Sequence, residues 1–251
     1  MKKLLLKNVW QTLAAIVFLI AVWFAAYLAV GNELLIPDFK DSLKEVGKLF
    51  VSAWFWKGCA LTMLRVAAAF VISFAAALFF AVLAYLVPTL GAFFAPVVSA
   101  LRSLPVLAVL LILLSFLSAG SAPVAVAFLT LFPMLYTGIL AALSGVDRQL
   151  IETSKVFGAT WQAKVFKIYL PLSAPYVLRE AGGGLSFALK LVVSAEVLAQ
   201  TARSLGGMMQ TAKVYGEIPQ LFALVVVAFA VGLVLELSMN ALAIQAEKRI
   251  R

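Results

Sequence analysis

The sequence predicts an all-α, polytopic membrane protein with about six transmembrane helices, and three observations predict it. Hydrophobic residues make up 65% of the chain and charged residues 12%, whereas a water-surrounded domain carries about half and about a quarter. The apolar residues fall in long runs, and six runs of about 20 residues would use most of the 251 positions. Basic residues gather at the ends of those runs rather than on a polar segment. That pattern orients helices in a membrane, so the net charge of +9 implies lipid as a partner and no nucleic acid.

Composition also excludes chemistry. The single cysteine, Cys59, allows no internal disulfide, and the absence of histidine removes His-based catalysis and His metal ligation. No metal site and no catalytic residue is expected.

The first span is expected near 9–30, after Met1-Lys2-Lys3. Small residues such as Ala26 and Ala29 near its end leave a cleaved signal peptide as the alternative. The run exceeds the 7–15 apolar residues usual in such a signal, so a retained span is the expectation. Next, Glu33, Asp38, Asp41 and Glu45 interleave with Lys40, Lys44 and Lys48, at a spacing that suits a helix on the outer surface. Further spans are expected near 58–87, 91–117, 121–146, 175–200 and 218–244. The third is the least regular: Pro96 and Pro105 break it, with Arg102 between them, so its first part is expected along the inner surface. Gly182-Gly183-Gly184 begins the fifth span. Close helix packing is its expected use, and a gating hinge is the alternative. The chain thus divides into 1–57, a helix plus an outer-surface segment, and 58–251, a five-helix core with a loop at 147–174.

With the N-terminus inside, about twelve basic residues fall on inner segments and about six on outer ones. Both termini and the 147–174 loop are therefore expected in the cytoplasm. The loop reads as two short helices. Asp147 and Thr160 can cap them, Gly158 can end the first in a left-handed conformation, and Pro171 is expected to stop the second. Phe157, Trp161, Val165, Phe166 and Ile168 give it a large apolar surface. Either a partner covers that surface, or the chain's own spans and the lipid interface do. Both readings are open at this point.

Arg65, Lys190, Glu196 and Glu236 fall in or near apolar spans, where an ionised group costs several kcal/mol unless paired or hydrated. Lys190 and Glu196 are too far apart on one helix to pair as neighbours. Two readings stay open. Arg65, Lys190 and Glu196 line a translocation path that favours an anion, or the charges pair across helices, as Arg65 with Glu196 or Lys190 with Glu236.

The loop's spacing resembles the "EAA" loop of binding-protein-dependent ABC permeases. Glu152-Thr153-Ser154, three residues, Gly158, nine residues and then Ile168, Leu170 and Pro171 match it, with Thr153 and Ser154 replacing two alanines. The resemblance runs from about Thr62 to the end and is similar to the nitrate/sulfonate/taurine branch. Thr62-Met63-Leu64-Arg65, Arg102-Ser103-Leu104-Pro105, Phe132-Pro133, Gly145-Val146-Asp147 and Ala195-Glu196 carry it. The chain departs from the branch at Leu35-Ile36-Pro37, Leu117-Ser118-Ala119-Gly120 and Ser204-Leu205-Gly206, all toward the outer side.

This resemblance implies a type I ABC importer permease fold in a bacterial inner membrane. It implies that Glu152, Thr153, Ser154, Phe157, Gly158, Trp161, Ile168, Leu170 and Pro171 form an ATPase-coupling loop. The implied partners are two copies of a cytosolic ATP-binding cassette subunit, a second permease copy in a homodimer, and an external substrate-binding protein. ATP would be hydrolysed by the partner, because this chain has no Gly-x-x-x-x-Gly-Lys-[Ser/Thr] loop and no cofactor of its own. A small anion of the nitrate, sulfonate or taurine type is the expected substrate, with a vitamin or pyrimidine precursor as the alternative. A membrane enzyme lacks the clustered acidic, His or Cys groups it would need. A stand-alone secondary transporter would be expected to show paired halves with interrupted helices.

Overall fold

The computed structural model describes residues 14, 17, 18, 20–33 and 35–250. Most of the expected first span before residue 20 lies outside the described residues, as do Lys2, Lys3, Lys7 and Arg251. Its remainder is the apolar helix α1 (Ile20–Val30). Ten further helices follow: α2 (Phe39–Val51), α3 (Ala53–Leu86), α4 (Pro88–Arg102), α5 (Val106–Leu114) and α6 (Ala122–Ser144), then α7 (Arg148–Val156), α8 (Trp161–Lys164), α9 (Leu170–Leu198), α10 (Leu205–Val214) and α11 (Ile218–Ile250). No strand occurs among the described residues. Among the described residues four helices are long and apolar enough to cross a membrane: α3, α6, α11 and the stretch Trp161–Leu198 that ends in α9. The pair α4 and α5 makes a fifth if counted as one broken span.

The outer-surface segment forms the helix its charges suggest. Asp38 caps α2, accepting from the Lys40 amide at 3.2 Å, and Lys44–Asp41 and Lys48–Glu45 pair at 2.7 and 2.6 Å. Lys44 holds the Asp41 carboxyl below its ordinary range, so that pair supports α2 at neutral pH and is lost as pH falls through the carboxylate range. Trp23 fastens α1 to this layer. Its ring lies 5.5 Å from Phe39 and 5.2 Å from Phe222 of α11, and its Nε1 donates to the Pro37 carbonyl at 3.1 Å.

The core is built on α3. Thr62, Val66, Ala69, Ser73, Ala77, Ala81 and Ala84 recur every three or four residues and are all buried. These small side chains let α6 approach closely, and α6 fills the interface with fully buried Leu131, Leu135 and Ile139. Ser73 satisfies its hydroxyl on its own helix, donating to the Ala69 carbonyl at 2.7 Å.

Two expectations about the spans are corrected. The first part of the third span runs back beside α3, with Phe94 5.1 Å from Phe80 and Gly91 against the Ala84 carbonyl. Pro96 is accommodated inside α4, and the break comes at Ser103-Leu104-Pro105, where the chain bends by 85°. A residue before proline is pushed out of the helical region, and here nothing rebuilds the helix across it. It is α5 that turns aside, placing Leu110 among Ala122, Val126 and Ala195. The second correction concerns the glycine run, which lies inside α9 rather than at the start of a span. A Cβ on Gly182 would stand 2.8 Å from Met239 Cβ of α11, and one on Gly184 2.7 Å from Leu135 Cδ2 of α6. The run therefore lets α9 touch neighbours on two sides.

Candidate functional site

The 147–174 segment is ordered by its own side chains. Asp147 Oδ1 accepts from the Gln149 amide at 2.8 Å at the start of α7, and Thr160 Oγ1 accepts from the Ala163 amide at 3.2 Å at the start of α8. Between them Gly158 sits at φ +67°, and the Ala159 amide reaches back to the Ser154 carbonyl at 3.0 Å, which closes α7. Ser154 is half-buried and donates to the Ile151 carbonyl at 2.7 Å.

Pro171 does not stop a helix. The chain continues from α8 into α9 through a π-helical turn, Val165–Tyr169, in which the Leu170 amide bonds to the Val165 carbonyl five residues back. Pro171 then follows directly on this turn in α9, and the helix continues through it. The wider turn is what allows the loop and the span to be one continuous rod.

Phe157 is 82% exposed, Phe166 68%, Trp161 56% and Leu170 55%. Glu152 and Thr153 are exposed too, while Ile168 and Pro171 are half-buried. The Trp161 ring rests 6.5 Å from Tyr169, which in turn meets Tyr85 of α3. The chain's own helices thus leave most of this apolar face uncovered.

A second constellation lies at the other end of the spans. Glu196 on α9 is fully buried, and its carboxylate accepts from Thr62 Oγ1 at 2.9 and 3.1 Å, Arg65 Nη1 at 2.9 Å and the Gly206 amide at 3.2 Å. Thr62 Oγ1 also accepts from the Leu205 amide at 2.9 Å, and Arg65 Nε donates to the Gly120 carbonyl at 3.1 Å. Thr201 Oγ1 ties the neighbouring Ala119 carbonyl at 2.6 Å. One carboxylate therefore joins α3, α9, the start of α10 and the loop before α6. Of the pairings left open by the sequence, Arg65 with Glu196 is formed.

From the sequence, Thr62, Gly120 and Gly206 carry no assigned role in this cluster. Thr62 and Arg65 are three apart on one helix face, which is the only local hint. Their common partner lies more than a hundred residues away in the chain. Gly206 is required by contact. A Cβ there would meet Glu196 Cβ, and would lie 2.5 Å from the Val193 carbonyl oxygen. Gly206→Ala is expected to force α10 off α9 at a cost of about 1–3 kcal/mol. The measurement is loss of monodisperse protein in a detergent heating series, and a wild-type profile would contradict the packing.

Lys190 has a different setting. It is exposed on α9 and lines a cavity of about 320 Å³ together with Ser186, Ser194, Met209, Phe229 and Glu236. Lys190 and Glu236 share this space without forming an ion pair among the described residues. Among those residues no three acidic, His or Cys groups lie together as metal ligands.

Residues 73–251 match the family described as the binding-protein-dependent transport system inner membrane component. Taurine transport system permease protein TauC of Escherichia coli (strain K12) is 25% identical over 246 residues, spanning 94% of this chain and 88% of that protein. SsuC of Bacillus subtilis (strain 168), assigned to aliphatic sulfonate transport, is 25% identical over 85% of this chain and 78% of its own length. In fold, the chain resembles one from the crystal structure of a bacterial alginate ABC transporter bound to its periplasmic protein. The TM-score is 0.66 at 17% identity, over 94% of this chain and 95% of that one.

Proposed function

This chain belongs to the binding-protein-dependent transport-system inner-membrane components, and on that footing we propose that its 147–174 segment couples it to a cytosolic ATP-binding subunit. It is the permease subunit of an ABC importer, a multi-pass inner-membrane protein and not an enzyme, in the taurine/sulfonate-like branch. The observation that carries the coupling reading is the uncovered apolar surface of Val156, Phe157, Trp161 and Phe166, held by two side-chain caps and Gly158. Such a face on a short, fixed element suits burial in a partner's groove.

The assembly we infer has two permease copies, two ATP-binding subunits that hydrolyse the ATP, and an external binding protein that delivers the substrate. Both termini and the coupling segment are cytoplasmic, following the excess of basic residues on those segments. In this reading the transport core is 58–251, and the described helices before it, α1 and α2, are peripheral to it. The substrate is a small molecule bearing an anionic group of the sulfonate type, in keeping with the relatives' named transport of taurine and aliphatic sulfonates. Lys190 faces the path, whereas Arg65 and Glu196 brace its outer wall.

The test is reconstitution in proteoliposomes with and without its ATP-binding subunit. Uptake is expected only with that subunit, the binding protein and ATP. Uptake by this chain alone, without ATP, would overturn the reading in favour of a secondary transporter.

A further inference from the structure

At the end of the spans opposite the coupling segment, two grooves lie on either side of one side chain. Trp54, in the first turn of α3, borders both and is 50% exposed. On one side, Gln200 and Arg203 of the α9–α10 loop and Gln210, Thr211 and Tyr215 wall a cavity of about 420 Å³. On the other, Glu45 and Lys48 of α2 wall a cavity of about 530 Å³ with Glu217 and Gln220 at the start of α11. The grooves differ in charge. Among the described residues bordering the first, Arg203 alone is charged. On the second, Glu45 takes up Lys48 at 2.6 Å, which leaves Glu217. Arg203 and Glu217 are both exposed, and neither forms an ion pair among the described residues.

The loop that presents Arg203 is fixed in a strained shape. Gln200 and Arg203 stand at φ +50° and +51°, left-handed values that residues other than glycine seldom adopt. No other non-glycine residue among those described has a positive φ. Thr201 holds the loop there: its amide donates to the Glu196 carbonyl at 3.0 Å and its hydroxyl to the Ala119 carbonyl at 2.6 Å. Ser204 caps α10 and donates to the Thr201 carbonyl at 2.8 Å. Strain of this kind persists where its surroundings over-determine it, and it gathers at binding sites. A loop fixed before it meets a partner also loses less freedom on binding.

Exposed tryptophan and tyrosine at the end of a span can also lie among lipid headgroups. The charges argue against that here. Glu217 would repel the anionic headgroups that Arg203 attracts, and glutamines border both grooves. A protein surface with an acidic side chain for Arg203, a basic one for Glu217 and an apolar recess for Trp54 satisfies all three.

We propose that Trp54 and the two grooves beside it are the surface on which the external binding protein docks, with an acidic residue at Arg203 and a basic one at Glu217. The proposal rests on the importer reading and deepens it. It also brings α2, which precedes the 73–251 stretch matched to the family, into the contact.

The experiment uses the permease–ATPase complex in nanodiscs and the binding protein that supports uptake in the reconstituted system. Affinity and association rate are measured at low and at physiological salt. Trp54→Ala, Arg203→Asp and Glu217→Lys are each expected to weaken binding about tenfold or more. For the two charge reversals the loss falls mainly on the association rate and shrinks as salt rises. Aspartate suits position 203 because it enters the left-handed region more readily than most residues. Lys40→Glu, a reversal outside both grooves, is expected to stay within about twofold of the parent. In a Cys59→Ser, Thr211→Cys complex, bound binding protein is expected to slow labelling by a water-soluble maleimide severalfold. Co-purified ATP-binding subunit shows that each variant is folded. Trp54→Tyr, Arg203→Asn and Glu217→Gln replace any variant that loses it, with smaller losses of affinity expected. Parent affinity at all three positions overturns the proposal, as does labelling of Thr211→Cys at an unchanged rate. Labelling that is blocked without binding protein and restored in detergent also overturns it, because lipid would then fill the groove. Uptake that needs no binding protein would count against the importer reading itself. Binding-protein-dependent uptake with docking insensitive to all three changes counts only against this surface.

Discussion

Glu152→Lys and Gly158→Val are each expected to abolish ATP-driven uptake while the protein still reaches the membrane. The two act by different routes. Glu152 is exposed on α7 and makes no hydrogen bond or ion pair with the described side chains, so reversing its charge leaves the fold alone and changes what a partner meets. Gly158 stands at φ +67° with nothing near the position of a Cβ. Valine there would not collide with anything. It would instead be forced out of the left-handed region, at about 1–2 kcal/mol, and the bend between α7 and α8 would reopen. Gly158→Asn is the control, because asparagine enters that region more readily than other residues, and it is expected to retain most uptake. The readouts are uptake in proteoliposomes and the amount of ATP-binding subunit that co-purifies. Normal uptake by both Glu152→Lys and Gly158→Val would remove the coupling assignment.

The second large effect is expected at Glu196. Glu196→Ala leaves the Arg65 guanidinium, the Thr62 hydroxyl and the Gly206 amide without their acceptor in a buried setting. Removing one partner of a buried pair costs about 3–5 kcal/mol, enough to remove most of an ordinary protein's margin. Glu196→Gln keeps the shape and one acceptor oxygen but gives up the charge, so a smaller loss of about 1–3 kcal/mol is expected. The double variant Glu196→Gln, Arg65→Gln should lose clearly less than the sum of the two single losses, since it leaves no charge stranded. Heating series on the purified complex measure this. A Glu196→Ala protein as heat-resistant as the parent would show that the cluster carries no strain-bearing role.

Much of the molecule was legible in the residues because its signals are local. Apolar run length announces a span, a proline marks a break, and Asp147 and Thr160 announce helix starts within three residues of themselves. The 147–174 segment belongs to this class in its caps and its left-handed glycine, whereas the exposure of its aromatics is decided by how the spans pack. Pro171 was misread for a related reason. A proline reads as a stop only if the helix before it keeps its regular register, and the π turn at Val165–Tyr169 changes that register by one residue.

By itself the sequence determined that the chain is an all-helical membrane permease and about where four of its spans lie, and it showed the EAA-like spacing at 147–174. Tertiary structure alone decided which intramembrane charges are structural and which are open. Arg65 and Lys190 look alike in sequence, each a cation in an apolar run. One is consumed by Glu196 from more than a hundred residues away, and the other faces a cavity that it shares with Glu236. The reason is physical. Helix formation and membrane insertion depend on neighbours within a turn or two, but the pairing of a buried charge depends on which helices pack together. In this chain that packing is set by close contacts at Ala69, Gly182, Gly184 and Gly206, small residues whose partners no local pattern names.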